Sequence, residues 1–137
     1  MNETLAEMIQ RHEGVRRIPY LDSLGIFTVG YGHNMQRPLS QAVIDQIFSE
    51  DLQEAINECV HAFPWFADLT DARKNAMVDL CFNLGLTRLL KFQHFLTAMA
   101  AGQYETAANE LLDSLWARQV KHRALELATL IRGTEEV

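Results

Sequence analysis

EGVRRIPYLDSLGIFTVGYGH, residues 13–33, combines two carboxylates, a hydroxyl and a glycine-rich turn within a short part of the chain. Glu13 ends a helical pattern, Asp22 precedes a Ser-Leu-Gly turn, and Thr28 lies in the β-rich run that follows. Short apolar runs on either side of the turn predict a β-hairpin. Glycoside hydrolysis requires one acid that protonates the leaving oxygen and a second carboxylate that activates water or attacks the sugar. The stretch is therefore a candidate for a hydrolytic site built on a helix end and a hairpin.

These residues also have ordinary structural interpretations. An Asp before a turn commonly accepts backbone N–H groups, and threonine is frequent in strands. Gly30 and Gly32 are equally typical of a bulge or of close packing. On spacing alone, catalysis and a purely structural role both remain open. Strand alternation predicts that the Thr28 side chain points away from Phe27, Val29 and Tyr31.

Hydrophobic periodicity predicts that the rest of the chain is helical. Apolar residues at spacings of three and four predict helices near residues 2–13, 40–60, 70–84, 92–101, 104–114 and 123–131. Asn2 and Ser40 are candidate N-caps, and Gly14 is a candidate C-terminal stop. The segment 114–124, SLWARQVKHRA, is interpreted as helix edges with a tight join. The expected fold class is α+β and predominantly helical, with a small β element near the N-terminus.

Composition restricts the class of protein. The 137 residues carry a net charge of −6, which argues against a nucleic-acid binder because such a protein normally presents a basic face. No apolar run approaches the length of a membrane span, and the first residues lack the pattern of a signal peptide. We therefore expect synthesis in a cytoplasm. Cys59 and Cys81 fit buried reduced thiols, although the sequence leaves a disulfide open.

No cofactor or metal is expected, because no second His or Cys stands at ligand spacing from His33. A hydrogen-bonded structural histidine is favoured instead, with Asp51 on the long helix as its candidate partner. Arg123 is a candidate partner for Glu13. The positive charge of Arg123 would stabilise the charged Glu13 carboxylate, whereas the negative end of the helix dipole disfavours that charge.

At this point the chain resembles a known family, the phage-type lysozymes, which are muramidases of glycoside hydrolase family 24 used as endolysins. The matching residues are, in order, Glu13-Gly14, Tyr20-x-Asp22, Gly25, Thr28-Val29-Gly30-Tyr31-Gly32-His33, Phe82-Asn83-x-Gly85, Trp116-x-x-Gln119 and Arg123-Ala124. They cover nearly the whole chain. The block from the first acid to the G-x-G-H run is the most specific part of the match.

The resemblance implies a role for each matching residue. Glu13 would be the general acid, Asp22 would act on the water or the sugar, and Thr28 would place that water. Gly30 and Asn83 would contact substrate. His33, Asp51 and Arg123 would support the site.

The resemblance also implies a lysozyme-like domain over residues 1–137 with two lobes. Residues 14–38 would form the small β lobe, residues 39–61 the connecting helix, and residues 62–137 together with 1–13 the helical lobe. The expected activity is hydrolysis of the β-1,4 bond between N-acetylmuramic acid and N-acetylglucosamine in peptidoglycan, by a phage or prophage endolysin. A monomer that stays out of the membrane and reaches the wall after release from the host cytoplasm is expected.

Two alternatives remain open. Only five residues separate His33 from Leu39, so the β lobe is short, and the acidic chain gains no attraction to an anionic wall polymer. Both features leave open a non-catalytic peptidoglycan-binding or structural relative. The other alternative is a transglycosylase, which cleaves the same bond without water.

Overall fold

The computed structural model describes residues 2–133, and the chain forms two compact units, Met1–Gln46 and Ile47–Val137. The first unit holds one helix and a small sheet, and the second is helical. The predicted fold class, predominantly helical α+β, is confirmed. The division falls inside the long helix, and the grouping of residues 1–13 with the helical lobe stays a prediction.

The first helix, α1 (Leu5–Glu13), is fixed at both ends by local chemistry. The Thr4 hydroxyl accepts the backbone N–H of Glu7, and the Glu7 carboxylate reaches back to the N–H of Thr4, which completes a capping box. The predicted cap at Asn2 is therefore wrong by two residues. Gly14 ends the helix as predicted, with φ +68° and ψ 164°. That ψ places it outside the left-handed helical region, although the positive φ still favours glycine.

The sheet contains three antiparallel strands, β1 (Arg16–Leu21), β2 (Phe27–Gly30) and β3 (His33–Asn34), in the order β1-β2-β3. The predicted hairpin and its turn are confirmed. The sequence missed β3, because two residues are too few to show alternation. The pairing of β1 with β2 is irregular before Tyr20, where Pro19 has no N–H to donate to the ladder.

The long helix, α2 (Gln41–Ala62), begins where the sequence placed it. The Ser40 hydroxyl accepts the N–H of Val43, as an N-cap does. A short 3₁₀ turn, Phe66–Asp68, follows the helix. The remaining helices are α3 (Asp71–Leu84), α4 (Leu86–Leu89), α5 (Gln93–Ala100), α6 (Tyr104–Leu112), α7 (Leu115–Val120) and α8 (His122–Arg132).

Two short helices escaped the sequence patterns. α4 has four residues, which is too short for an apolar stripe. α7 lies in the segment interpreted as helix edges and a tight join. The join and the edge of α8 are confirmed, but residues 115–120 form a helix of their own. Lys121 forms the join with φ 22° and ψ −76°, between the end of α7 and the start of α8. Because only one residue separates α7 from α8, the periodic pattern of apolar residues does not show where one helix ends and the next begins.

The second unit contains a hydrophobic core formed by apolar side chains from α2 to α8. Its largest fully buried members include Phe95, Met77, Leu80, Leu89, Met99, Leu111 and Ile131. Cys59 and Cys81 are buried free thiols, as predicted. Burial raises the pKa of the Cys59 thiol to about 12 and also raises that of Cys81. Both thiols therefore behave as small apolar groups within this core.

Arg73 joins the start of α3 to the end of α8. Its Nε and Nη2 donate to the carbonyl oxygens of Ile131 and Arg132 at 2.7 and 2.9 Å, and its guanidinium lies 3.6 Å from the centroid of the Tyr104 ring. The carbonyls at a helix C-terminus lack intrahelical partners, so this cation caps them and complements the helix dipole.

Substitution of Arg73 by Ala is expected to destabilise the protein by about 2 kcal/mol, because it removes two charged hydrogen bonds and a cation–π contact. Thermal unfolding followed by circular dichroism measures the loss. Lys74→Ala is the matched control, since the Lys74 side chain makes no hydrogen bond or ion pair with a described residue. Equal melting temperatures for the two variants would contradict the capping role.

Candidate active site

The three predicted catalytic residues all lie in the first unit. Glu13 is the last residue of α1, Asp22 directly follows β1, and Thr28 lies in β2. Tyr20 pairs with Thr28 in the ladder, and Leu21 pairs with Phe27. Because side chains alternate along a strand, Asp22 and Thr28 are diagonal neighbours on the same face. The sequence alone does not show which residues of β1 and β2 lie opposite each other, so it did not predict this arrangement.

Asp22 uses one of its two oxygens to build the turn. Its Oδ1 accepts the backbone N–H groups of Leu24 and Ile26 at 2.8 and 2.9 Å. The other oxygen, Oδ2, has no hydrogen-bond partner among the described residues. The two N–H donors hold the carboxylate in place, and the other oxygen is left to accept a hydrogen bond.

Thr28 is the buried residue of this hairpin. It is 4% exposed, whereas Phe27 on the opposite face is 55% exposed. Thr28 therefore points away from Phe27, Val29 and Tyr31, as predicted. The face of the hairpin that carries Thr28 is the buried one, and the face that carries Phe27 is exposed. The Thr28 hydroxyl donates to the Ile26 carbonyl at 2.9 Å. Since that bond uses its only proton, the oxygen can act only as an acceptor toward a further partner.

Ile26 links the two side chains, and the sequence analysis overlooked it. Its N–H binds the Asp22 carboxylate, and its carbonyl accepts both the Thr28 hydroxyl and the Asp22 N–H. No sequence signal marks this residue, because its contribution comes entirely from the main chain.

Gly32 lies against Glu13. A Cβ at position 32 would be 3.0 Å from Glu13 Oε2, and the φ of Gly32 is +78°. The site therefore needs glycine here for two reasons, the positive φ and the space for the carboxylate. Gly30 also has a positive φ, but a Cβ there would meet no atom within 4 Å.

Gly32→Ala is expected to lower turnover by about 10–100-fold, because it displaces the Glu13 carboxylate from its position. Initial rates of the reaction that the resemblance implies, hydrolysis of cell walls, measure the effect when they are taken well below the melting temperature. Gly102→Ala is the control for backbone strain alone, since Gly102 has φ +70° and no atom within 4 Å of a Cβ. Equal activity of the two variants would argue against close packing of Gly32 on Glu13.

Asn83 lies at the end of α3 in the second unit. The Trp116 indole N–H donates to its Oδ1 at 2.7 Å. An indole nitrogen can only donate, so this bond fixes the amide orientation and leaves the Asn83 NH₂ group as a donor. Such a donor suits a sugar hydroxyl or an acetamido oxygen. The contact of Asn83 with substrate stays a prediction.

Arg123 binds Asp79, a partner that the sequence analysis missed. Its Nε donates to Asp79 Oδ1 at 2.7 Å, and both side chains are partly exposed. Periodicity places Asp79 and Arg123 on separate helices and gives no information about their distance. The predicted pairs of Arg123 with Glu13 and of His33 with Asp51 each join one unit to the other, and they stay predictions.

Residues 2–133 contain no group of three or more His, Cys, Asp or Glu side chains placed to hold a metal ion. In the same range, no helix combines the length and the apolar character that crossing a bilayer requires.

Known proteins resemble this chain over most of its length. A family model described as phage lysozyme matches residues 10–133. The pre-baseplate central spike protein Gp5 of Enterobacteria phage T4 is 30% identical over 95% of this chain, which spans 28% of the length of that relative. Two probable T4-type lysozymes of Dictyostelium discoideum are 21% and 23% identical, over 96% and 90% of this chain and 95% and 91% of their own lengths.

The match to the family model extends from the end of α1 to the residue that follows α8, and it includes both units. It contains Glu13, Asp22 and Thr28 as well as Asn83 and Arg123. A match of this extent is sufficient to assign the family. This chain belongs to the phage lysozyme family.

Proposed function

We propose that this chain is a muramidase that hydrolyses the β-1,4 bond between N-acetylmuramic acid and N-acetylglucosamine in peptidoglycan. The family and the two T4-type relatives support a lysozyme-like glycoside hydrolase. The observation that carries the proposal is the turn in which Asp22 and Thr28 share Ile26 as a hydrogen-bond partner.

In the proposed mechanism, Glu13 donates its proton to the glycosidic oxygen as the bond breaks. A water molecule donates hydrogen bonds to Asp22 Oδ2 and to the Thr28 hydroxyl oxygen, both of which are free to accept. As its lone pair attacks the anomeric carbon, the water gives one proton to Asp22 Oδ2, and until then the negative carboxylate stabilises the positive charge that develops on the sugar. The two acceptors, Asp22 Oδ2 and the Thr28 hydroxyl oxygen, offer a position for a water, and this is the reason to propose hydrolysis rather than the transglycosylase alternative. A distance of about 6.5–9.5 Å between the two carboxyl groups would accompany inversion at that carbon.

Product analysis tests the reaction type. Purified peptidoglycan is digested, and the fragments are separated and identified by mass spectrometry. Reducing muramic-acid ends are expected, with the mass of one added water per cleaved bond. Anhydromuramyl ends would instead identify a transglycosylase. Cell walls that bind the protein but release no new ends would identify a non-catalytic binding protein.

Two biological settings are consistent with this activity. As an endolysin, the protein would be made in the host cytoplasm, reach the wall after release, and act as a monomer to lyse the cell. The likeness to Gp5 supports the second setting, in which this chain serves as the lysozyme part of a phage particle. Antibody detection of the chain on purified particles, compared with lysis after expression in cells with a permeabilised inner membrane, separates the two.

A further inference from the structure

Asn34 in β3 lies directly opposite Thr28 in β2, and both residues belong to the first unit. The Met35 N–H donates to the Phe27 carbonyl at 2.8 Å, so Phe27 and Met35 form a hydrogen-bonded pair. Along an antiparallel ladder such pairs alternate with non-hydrogen-bonded pairs, in which the side chains are closer together. Thr28 and Asn34 form a pair of this second kind, and their side chains are on the same face of the sheet. The Asn34 amide is therefore an immediate neighbour of the Thr28 hydroxyl.

The partly buried Asn34 side chain uses only one of its two polar atoms within the protein. Its Oδ1 accepts the backbone N–H of Gln36 at 2.8 Å, and its main-chain carbonyl accepts the N–H of Arg37 at 3.2 Å, which is the pattern of an Asx-supported turn. The NH₂ group of the amide has no hydrogen-bond partner among the described residues. The turn needs only the side-chain oxygen, which Asp would provide equally well. The free NH₂ group is what Asn adds at this position.

The attacking water has two protons and two lone pairs, and the residues named so far use only the protons. The protons point to Asp22 Oδ2 and to the Thr28 hydroxyl oxygen, which both accept. One lone pair must stay free to attack the anomeric carbon. The other can accept a hydrogen bond, and a donor there would hold the water oxygen in place without blocking the attack.

We propose that the Asn34 NH₂ group donates to the attacking water and thereby directs the remaining lone pair of the water at the anomeric carbon. The proposal rests on the muramidase function and adds a third group to the same site. The water oxygen forms the new bond to carbon, one water proton passes to Asp22, and Glu13 supplies the proton of the leaving oxygen. Asn34 transfers no proton, so it acts on the position of the water and not on acid–base chemistry.

A crystal structure of the wild-type protein at neutral pH tests this placement without requiring activity. One ordered water is expected within about 3 Å of Asp22 Oδ2, the Thr28 hydroxyl oxygen and Asn34 Nδ2. In an Asn34→Asp variant the donor becomes a third acceptor. Two water protons cannot serve three acceptors, so this water is expected to be absent from the variant. A wild-type structure without a water on Asn34 Nδ2, or an unchanged water in the variant, would overturn the proposal.

Kinetics of two Asn34 variants provide the second readout, because the variants share only the loss of the NH₂ donor. Asn34→Asp keeps the oxygen that the turn uses but adds a charge, and Asn34→Leu adds no charge but loses that oxygen. Each is expected to lower kcat about tenfold with little change in KM, since a misplaced water slows the chemical step. Gln36→Glu is the matched control for charge, because its backbone N–H still reaches Asn34, and it is expected to keep the wild-type kcat.

The pattern of losses separates the donor from other roles of Asn34. A loss in Asn34→Leu alone would show that only the turn matters, and a loss in Asn34→Asp alone would show an effect of charge. Either result would overturn the proposal, as would equal losses in Asn34→Asp and Gln36→Glu. If the wild type releases no reducing ends from peptidoglycan, the muramidase function fails, and the crystal structure still decides whether Asn34 holds a water beside Thr28.

Discussion

Replacement of Glu13 by Gln is expected to reduce the rate of peptidoglycan hydrolysis by about 10²–10⁴-fold. Gln has the same shape as Glu but carries no dissociable proton, so the leaving oxygen would depart without protonation. Residue 13 is exposed and ends α1, and its side chain makes no hydrogen bond to a described residue. The melting temperature should therefore stay close to that of the wild type. Release of reducing ends from purified cell walls measures the rate.

Glu7→Gln is the matched control for this substitution. Glu7 lies in the same helix, and a Gln at the third helical position can still complete the capping box with Thr4. The control therefore removes one negative charge from α1 while keeping its N-terminus intact. Near-normal activity of Glu13→Gln would overturn the assignment of the general acid, and a comparable loss in both variants would indicate a general effect of charge.

Replacement of Asp22 by Asn is expected to lower the rate by a factor of about 10²–10⁴, with the turn preserved. The Asn carbonyl oxygen can accept the same two N–H groups, from Leu24 and Ile26, that Oδ1 accepts now. The atom that replaces Oδ2 becomes an NH₂ group, which donates hydrogen bonds and cannot act as a base. Activity should be lost while the melting temperature changes little.

Asp22→Ala separates the two roles of this residue. It removes the acceptor of both turn hydrogen bonds and should additionally destabilise the fold by about 1–3 kcal/mol. Urea unfolding of the Asn and Ala variants side by side measures the difference. If both variants unfold like the wild type, the carboxylate does not support the turn. If Asp22→Asn retains full activity, the proposed mechanism is wrong.

The sequence predicted elements that depend on local chemistry. The hairpin follows from two apolar runs around a glycine-containing turn, and α2 begins at a serine whose hydroxyl caps it. It missed α4 and β3, which have four and two residues and are too short for a periodic pattern. The first cap is Thr4 and not Asn2, because the Glu7 side chain and the Thr4 hydroxyl exchange reciprocal hydrogen bonds with the backbone.

The candidate site was only partly accessible from the sequence. Residue type and order identified Glu13, Asp22 and Thr28, because those side chains carry the required chemistry. The contacts that constrain them depend on three-dimensional packing. Gly32, in the turn between β2 and β3, lies against Glu13 at the end of α1, and Asp79 on one helix binds Arg123 on another. Distances of this kind have no counterpart in the spacing of residues along a chain.

The shared partner of Asp22 and Thr28 has a consequence for how this protein tolerates change. Ile26 serves both through its peptide N–H and carbonyl groups, which every residue except proline possesses. Many amino acids can therefore occupy position 26 without loss of these bonds, and a profile of conservation would pass over it. An inserted or deleted residue between positions 22 and 28 is a different matter, because it would separate the carboxylate from the hydroxyl. In this loop, the geometry therefore constrains the number of residues between Asp22 and Thr28 more strongly than the side chain at position 26.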